Sequence, residues 1–225
     1  MELSHKIASA MVKAWLKVFT RWEVRGKKNV PLNEPLIVVA NHVHLLDPPL
    51  LVLSLPRWIS FMAKEELFHS WFLGPIVRWA QAFPAYNKGT VRYKREMLKR
   101  AEETLENGFV LGMFPEGTRS RGGQLLPGHP GSVIIALKND VSILPVGIIG
   151  TEKLKGLGWL WQRPQITVNI GQPFRLPSVD GKMSKAKMKL RTELIMREIA
   201  ALLPPEHRGA YREAVGSPIG IEAEK

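Results

Sequence analysis

Residues 35–55 read PLIVVANHVHLLDPPLLVLSL: an apolar run, a polar loop and a second apolar run. The first run, Leu36–Ala40, is short and uninterrupted, which is typical of a buried strand. The second run, Pro48–Leu55, predicts a helix, because Asp followed by Pro suits the start of one. Strand, loop and helix in this order form the repeating unit of α/β domains. The segment therefore predicts an α/β fold in which a polar loop follows a buried strand.

The same alternation continues along the chain. Apolar runs typical of strands lie at Leu36–Ala40, Ile59–Ala63, Ala82–Ala85, Phe109–Phe114, Ser142–Ile149 and Gln165–Ile170. Helical periodicity lies between them, at Pro48–Leu55, Glu65–Trp79, Thr90–Asn107 and Gly131–Lys138. This order predicts a single α/β domain over residues 29–176, with a largely parallel central sheet flanked by helices. Functional residues of such sheets lie in loops at the carboxyl ends of strands.

Helical segments flank this core. Within residues 1–28, Met1–Val24 has apolar residues at steps of three and four and lysines on another face, which predicts an amphipathic helix. Two interpretations stay open: a helix lying in a membrane interface, or a terminal helix packed on the domain with solvated lysines. Residues 177–225 predict a basic helix followed by a frayed tail over 216–225.

The composition is that of an ordinary globular protein except in its charge. Of 225 residues, 45% are hydrophobic and 23% are charged, which argues against wholesale disorder. There is no cysteine, which excludes disulfides, thiolate metal sites and a cysteine nucleophile. The formal net charge of +12 predicts an anionic partner: nucleic acid, a phosphate-bearing substrate or a membrane surface. The apolar stretches are too short for a transmembrane span, and lysines interrupt the apolar region that a signal peptide would need near the start of the chain. We therefore expect a soluble chain that is not exported.

The loop after the first predicted strand, 41–49, places an imidazole and a carboxylate close together in sequence. A carboxylate that holds one ring nitrogen of His42 leaves the other free to remove a proton from a hydroxyl. Asp47 reaches His42 only if the segment turns, and Pro48 favours a turn by disfavouring helix at Asp47. Asp47 also suits the N-cap of the next helix, and His44 is expected to be structural. A metal site built from these side chains is the weaker alternative, because zinc usually needs three or four ligands.

A second loop, FPEGTRSRGG at 114–123, follows a later strand. Its glycines, hydroxyls and two arginines suit a phosphate or a carboxylate. Glu116 beside such a site can orient Arg119 or accept a hydrogen bond from a substrate hydroxyl. A flexible basic surface turn is the alternative interpretation. The sequence has no Walker pattern, no G-x-S-x-G and no G-x-G-x-x-G, so nucleotide-binding and serine-hydrolase functions have no support.

The H-x-x-x-x-D pattern of the first loop and the F-P-E-G-T-R-S pattern of the second resemble the glycerolipid acyltransferase family, in particular its 1-acylglycerol-3-phosphate acyltransferase branch. Two weaker blocks agree. Residues 64–68, KEELF, lead to Gly74 and are similar to the family's K-x-E-L-x-x-x-P-x-x-G block. Residues 144–146, LPV, resemble its proline-centred block. The resemblance extends over about residues 30–170, with the motifs in the family's order.

The resemblance implies that an acyl chain passes from an acyl-CoA or acyl-carrier-protein thioester to the free hydroxyl of 1-acylglycerol 3-phosphate, which yields phosphatidic acid. It implies that His42 is the general base and Asp47 its partner. The residues implied to hold the acceptor and its phosphate are Glu116, Gly117, Thr118, Arg119, Lys64 and Lys88. Direct attack of a hydroxyl on a thioester needs no enzyme nucleophile, so we expect no metal and no cofactor beyond the co-substrate.

The basic excess then has one explanation, because every expected partner is negative: the acceptor phosphate, CoA or an acidic carrier protein, and anionic lipid of the cytoplasmic leaflet. We therefore expect peripheral or monotopic attachment to the cytoplasmic face of the cell membrane. Nucleic acid is not an expected partner, because no nucleic-acid-binding motif is present.

One block departs from the family. Residues 83–88 read FPAYNK, where the family usually has an arginine in a pattern like F-P-V-x-R. Lys88 supplies a charge but not the bidentate fork of arginine, so a different lysolipid or glycerol acceptor, one suited to Asn87, stays open. Two further alternatives remain: a thioesterase that uses water as acceptor, and a non-enzymatic protein that binds anionic surfaces or nucleic acid.

Overall fold

Strands and helices alternate along the chain. The computed structural model describes residues 2–71, 73–79, 82–85, 91–156, 158–178 and 183–213. Within these ranges the strands are β1 (Arg21–Arg25), β2 (Leu36–Ala40), β3 (Ile59–Lys64), β4 (Phe83–Ala85), β5 (Val110–Met113), β6 (Ser142–Ile149) and β7 (Gln165–Ile170). The helices are α1 (Glu2–Phe19), α2 (Asp47–Ser54), α3 (Glu65–His69), α4 (Leu73–Trp79), α5 (Val91–Glu106), α6 (Gly131–Asn139), α7 (Trp159–Gln162) and α8 (Lys185–Ala201). Short 3₁₀ turns lie at Lys27–Asn29, Thr151–Lys153, Pro205–His207 and Gly209–Tyr211.

Strands in these ranges form one seven-stranded sheet in the order β1-β7-β6-β2-β5-β3-β4. Its neighbouring strands run parallel except β6 and β7, which are antiparallel. The predicted α/β domain with a largely parallel sheet flanked by helices is confirmed. Since β2 and β5 are parallel neighbours, the loops that follow Ala40 and Met113 leave the sheet side by side. The two candidate loops of the sequence therefore meet at the carboxyl edge of the sheet.

Helices cover both faces of the sheet, and β2 shows this in its sequence. All of its residues are fully buried, which explains an apolar run without alternation. Ile37 and Val39 pack into a core cluster with residues of α5, α6 and α8. Leu36 and Val38 point to the opposite face, where they pack with residues of α2. A third apolar cluster joins α1, α2 and α7 through Leu16, Leu50, Leu53, Leu154, Trp159 and Ile166.

The amino-terminal helix is shorter than the helix predicted over Met1–Val24. It ends at Phe19, and Arg21–Arg25 forms β1, which pairs in parallel with β7. The physical reason is a period of two: Trp22 and Val24 pack on a core cluster, while charged residues alternate with them. The last part of that helix prediction is therefore wrong, and this segment supplies an edge strand of the sheet.

The single helix predicted over Glu65–Trp79 is also wrong, because α3 and α4 are separate. The break includes Trp71, and beyond it the Gly74 N–H donates to Ser70 O at 2.7 Å. A Cβ on Gly74 would come within 2.8 Å of the Phe68 carbonyl oxygen, so glycine permits this close approach. The basic carboxyl-terminal helix is confirmed as α8. The predicted frayed tail, 216–225, lies outside the described residues.

Candidate active site

The turn between β2 and α2 brings His42 and Asp47 together. Asp47 Oδ2 accepts from His42 Nδ1 at 2.9 Å and from the backbone N–H groups of Val43 and His44 at 2.6 and 2.7 Å. Asp47 is fully buried. It is the first residue of α2 and not the predicted N-cap, which is Leu46. Helix begins at Asp47 despite Pro48, because the bend that the pair needs lies before it, in residues 43–46.

The carboxylate fixes the tautomer of His42. A carboxylate accepts only, so it holds the proton on Nδ1 and leaves the lone pair of Nε2 available. The His42 ring stacks on Phe114, with centroids 4.1 Å apart and planes 21° apart, and Phe114 in turn stacks on Phe61 at 5.7 Å. The His42 side chain is 17% exposed. Asp47 therefore fixes the imidazole through Nδ1 and Phe114 fixes it by stacking on the ring. A histidine held in this way, with Nε2 available, is suited to accept a proton from a bound hydroxyl.

Glu116 fastens the two loops to each other. Its Oε1 accepts from the His42 N–H at 2.7 Å, and its Oε2 accepts from the Leu126 N–H at 2.8 Å. The residue is 2% exposed, and this burial raises its pKa from 4.5 to about 7; the charge of Asp47 adds to the rise, while the two amide bonds oppose it. Each oxygen of Glu116 thus binds one backbone N–H group, so the carboxylate joins the backbone at His42 to that at Leu126. The expected contact with Arg119 or a substrate hydroxyl stays a prediction.

Two further contacts hold the backbone around His42. The His42 carbonyl accepts from the Ser120 N–H at 2.7 Å. Before it, buried Asn41 donates from Nδ2 to Ile148 O at 2.8 Å and accepts at Oδ1 from Ile148 N at 2.7 Å, which ties the end of β2 to β6. Sequence reasoning gave no role to Asn41 or Phe114. Asn41 directly precedes His42, and Phe114 is the first residue of the F-P-E-G-T-R-S motif, so both were indicated only by their proximity to the motifs.

His44 is held by contacts with the backbone of its own loop and of Leu154. Burial lowers the pKa of His44 below the usual 6.5, and the charge of Asp47 opposes this shift, while the neighbouring Arg119 and His42 add to it. His44 Nδ1 accepts from the Leu46 N–H at 3.3 Å, and the side chain also hydrogen-bonds to the backbone of Leu154.

The remaining predicted residues lie at the same edge of the sheet or outside the described chain. Thr118 and Arg119 are exposed, directly after Glu116. Gly117 has a φ of +64°, in the left-handed region that favours glycine, and a Cβ there would approach His129 Cδ2 to 3.0 Å. Lys64 is the last residue of β3, the neighbour of β5. Lys88 lies outside the described residues.

Among the described residues, no group of three or more His, Asp or Glu side chains that could hold a metal ion occurs. The site consists of a carboxylate-held histidine beside an exposed loop with a threonine and an arginine, at the carboxyl edge of an α/β sheet. The class of protein is therefore an α/β domain whose site has the side chains that general-base chemistry and anion binding use.

Comparison with known proteins identifies the family. The sequence model described as Acyltransferase matches residues 21–149, from β1 through β6. This is more than half of the chain, which therefore belongs to the acyltransferase family. The resemblance seen in the sequence motifs is confirmed.

The relatives share a name. A chloroplastic 1-acyl-sn-glycerol-3-phosphate acyltransferase of Brassica napus is 32% identical over 196 residues, which cover 83% of this chain and 54% of the relative. The Bacillus subtilis protein of that name is 26% identical over 201 residues, covering 88% of this chain and 96% of the relative. The crystal structure of the LPA acyltransferase PlsC from Thermotoga maritima superposes with a TM-score of 0.64 at 28% identity, covering 89% of this chain and 80% of that one. The chain spans about half the length of several curated relatives, 54%, 52% and 51% in three cases.

Proposed function

We propose that this protein transfers a fatty acyl chain from an acyl-CoA or acyl-carrier-protein thioester to the free hydroxyl of 1-acylglycerol 3-phosphate, giving phosphatidic acid. The observation that carries the proposal is the 2.9 Å contact between His42 Nδ1 and Asp47 Oδ2 in a chain of the acyltransferase family. Relatives named for this activity match most of the chain, which supports the choice of acceptor.

The proposed reaction is a direct transfer with His42 as general base. Its Nε2 takes the proton of the acceptor hydroxyl while the oxygen attacks the thioester carbonyl carbon. The tetrahedral intermediate then collapses, the C–S bond breaks, and the imidazolium returns its proton to the departing thiolate. Asp47 stabilises the imidazolium between these two transfers. General-base catalysis contributes about 10²- to 10⁴-fold, and holding both substrates in place contributes further. No cofactor is involved beyond the co-substrate thioester.

The acceptor phosphate is proposed to bind at the exposed loop. The guanidinium of Arg119 offers parallel N–H donors that match a phosphate, and Thr118 adds a hydroxyl. Gly117 allows the chain to turn there, and the Ser120 N–H ties the loop to the His42 carbonyl at 2.7 Å. Lys64 and Lys88 are proposed as further cations for the acceptor.

Membrane attachment is proposed to be peripheral, at the cytoplasmic leaflet. No described helix has the length and apolar character needed to cross a bilayer. The net charge of +12 favours an anionic lipid surface, which is where both the acceptor and the product reside.

The test is thiol release from a long-chain acyl-CoA or acyl-carrier protein with lysophosphatidic acid, glycerol 3-phosphate, lysophosphatidylcholine or no acceptor. We expect release that depends on lysophosphatidic acid and falls by at least about 10²-fold in His42→Ala. His69→Ala, at the exposed end of α3, is the matched control and should keep wild-type activity.

Each other outcome contradicts a defined part of the proposal. Release with a different acceptor would keep the mechanism and reject lysophosphatidic acid. Release without any acceptor would identify a thioesterase. Full activity of a folded His42→Ala would reject the general-base role. If neither donor releases thiol and the protein binds nucleic-acid duplexes tightly and in a salt-dependent way, a nucleic-acid-binding protein would be favoured.

A further inference from the structure

A groove lies beside α8, on the part of the molecule that the proposed reaction does not use. Its volume is about 560 Å³, which is within the range of small-molecule sites. One wall is α8, whose lining side chains recur at steps of three and four and so share one helix face: Lys185, Met188, Lys189, Thr192, Glu193 and Arg197. The other wall is the loop before α6 together with the turn Gly209–Tyr211. The groove is therefore a concave site in addition to the one around His42.

The charges of the groove favour an anionic ligand. Lys185 and Lys189 are exposed and lie about one helical turn apart, near the start of α8. Arg197 lines the groove further along the helix, about 18 Å from Lys185 by the helical rise. These cations face the carboxylate of Glu193, so positive charge prevails. Two neighbouring ammonium groups bind a phosphate as point charges, which makes the end with the two lysines suited to phosphate.

The surface between the charged side chains is apolar. Met188, Ala210 and two prolines of the loop before α6 line it, and the buried Tyr211 closes it from below. A phosphate-binding end that continues into an apolar floor suits a phosphorylated molecule with a long, largely uncharged arm. Docking of a whole carrier protein needs a much broader patch, on the order of 800 Å² on each partner, so the groove favours a small molecule.

The end of the groove away from the two lysines adjoins the catalytic loops. A Cβ on Gly128 would come within 2.6 Å of Met196 Sδ, so the loop before α6 lies against the second half of α8. The Gly128 backbone also hydrogen-bonds to the Tyr211 hydroxyl. Two residues before Gly128, a backbone N–H donates to Glu116, whose other oxygen accepts from the His42 N–H at 2.7 Å. One loop therefore lines the groove and is joined to the backbone of His42.

We propose that this groove binds the nucleotide end of the acyl-CoA donor, with Lys185 and Lys189 holding its phosphates. The pantetheine arm lies over the apolar floor and carries the thioester past Tyr211 towards His42. The groove thereby selects CoA over a donor that lacks a nucleotide. The identity of the occupant as the acyl donor rests on the proposed function; the preference of the groove for a phosphate-bearing ligand does not.

The first test measures binding without turnover, by isothermal titration of the full chain with free CoA and with pantetheine. CoA should bind more tightly than pantetheine, and Lys185→Glu/Lys189→Glu should weaken CoA binding at least about ten-fold. The matched control is Lys27→Glu/Lys28→Glu, which changes the net charge by the same amount in an exposed turn after the edge strand β1. The control should bind CoA as the wild type does. Equal weakening in both double variants, equal affinity for pantetheine, or no binding of CoA would overturn the proposal.

The second test measures steady-state kinetics with acyl-CoA, acyl-pantetheine and acyl-carrier protein as donors. Lys185→Glu/Lys189→Glu should raise KM for acyl-CoA about ten-fold, with kcat, KM for the acceptor and turnover of acyl-pantetheine unchanged. A lower kcat with an unchanged KM for acyl-CoA would overturn a binding role. Loss of turnover with acyl-carrier protein alone would assign the groove to the carrier and would also overturn the proposal.

The two tests separate the groove from the proposed function. If no donor supports acyl transfer but the lysine variant alone loses CoA binding, the groove stands as a phosphate-binding site and the proposed function fails. If acyl-CoA supports transfer and the lysine variant has wild-type KM and CoA affinity, the proposed function stands and the groove is not the donor site.

Discussion

Replacing Glu116 with glutamine should make the stability of this protein less dependent on pH. Glu116 is 2% exposed, and burial raises its pKa from 4.5 to about 7. A raised pKa means that the folded chain keeps a proton that the unfolded chain has released. The stability from this group is therefore fully present below about pH 4.5 and is lost as the pH rises through about 7. The shift from 4.5 to about 7 corresponds to on the order of 3 kcal/mol in total.

The glutamine variant does not titrate, but it loses a hydrogen bond. Only its amide oxygen can accept, so either the His42 or the Leu126 N–H is left without its partner, at a cost of about 1–3 kcal/mol. Between about pH 5.5 and about pH 8.5, the wild-type advantage over Glu116→Gln should shrink by about 2 kcal/mol. The two unfolding free energies therefore converge as the pH rises.

The assay is urea unfolding of both proteins at several pH values across this window, followed by circular dichroism. Taking the difference between the two proteins cancels the other groups that titrate in the same range. Glu103→Gln, on the exposed face of α5, removes the same charge and should follow the wild-type profile. Parallel pH profiles for wild type and Glu116→Gln would refute the reasoning, because they would show that Glu116 does not titrate with a raised pKa.

Three other substitutions test the contacts around His42. Asp47→Asn should lower kcat by about 10²- to 10⁴-fold in steady-state assays with little change in KM. The reason is that an amide NH₂ facing Nδ1 favours the tautomer with the proton on Nε2, which cannot act as a base there. A variant that keeps more than a tenth of the wild-type kcat would contradict this. Asn41→Ala removes two buried hydrogen bonds and should lower the free energy of unfolding, measured in urea, by about 2–4 kcal/mol. A loss below about 1 kcal/mol would show that other groups bind the Ile148 backbone in place of Asn41. Gly117→Ala should cost about 1–2 kcal/mol in thermal unfolding, since its φ of +64° disfavours a side chain; an unchanged Tm would argue against that conformation.

The sequence predicted six strands, including the edge strand β4, and missed β1 at the other edge of the sheet. Strand β2 is buried on both faces, so its unbroken apolar run is a direct consequence of its position. Strand β1 was not predicted, because Trp22 lies four residues after Val18 and so also fits the helical spacing. What makes β1 a strand is its pairing with β7, where Arg21 lies opposite Gln165, and a local pattern contains no information on a partner so far along the chain.

The site was predictable in its residue types but not in its connections. The proximity of His42 and Asp47 follows from a short turn, which local sequence can indicate. Glu116 binds the His42 N–H across two loops, a contact that depends on β2 and β5 being neighbours. The sequence therefore suggested a substrate contact for Glu116 but not its contacts with the His42 and Leu126 backbone, which join the two loops.

The proposed site separates a histidine on a firmly held backbone from an exposed loop. The backbone around His42 is fixed by Asn41 before it, by Glu116 at its N–H and by Ser120 at its carbonyl, and all three of these residues are buried. Thr118 and Arg119 lie between two of these anchors, yet they are exposed. In the proposed mechanism, substitutions at the exposed positions can therefore change how a head group is held without moving the imidazole. This division suits the proposed role of His42, because a misplacement of about 1 Å between base and hydroxyl costs on the order of 10²-fold in rate.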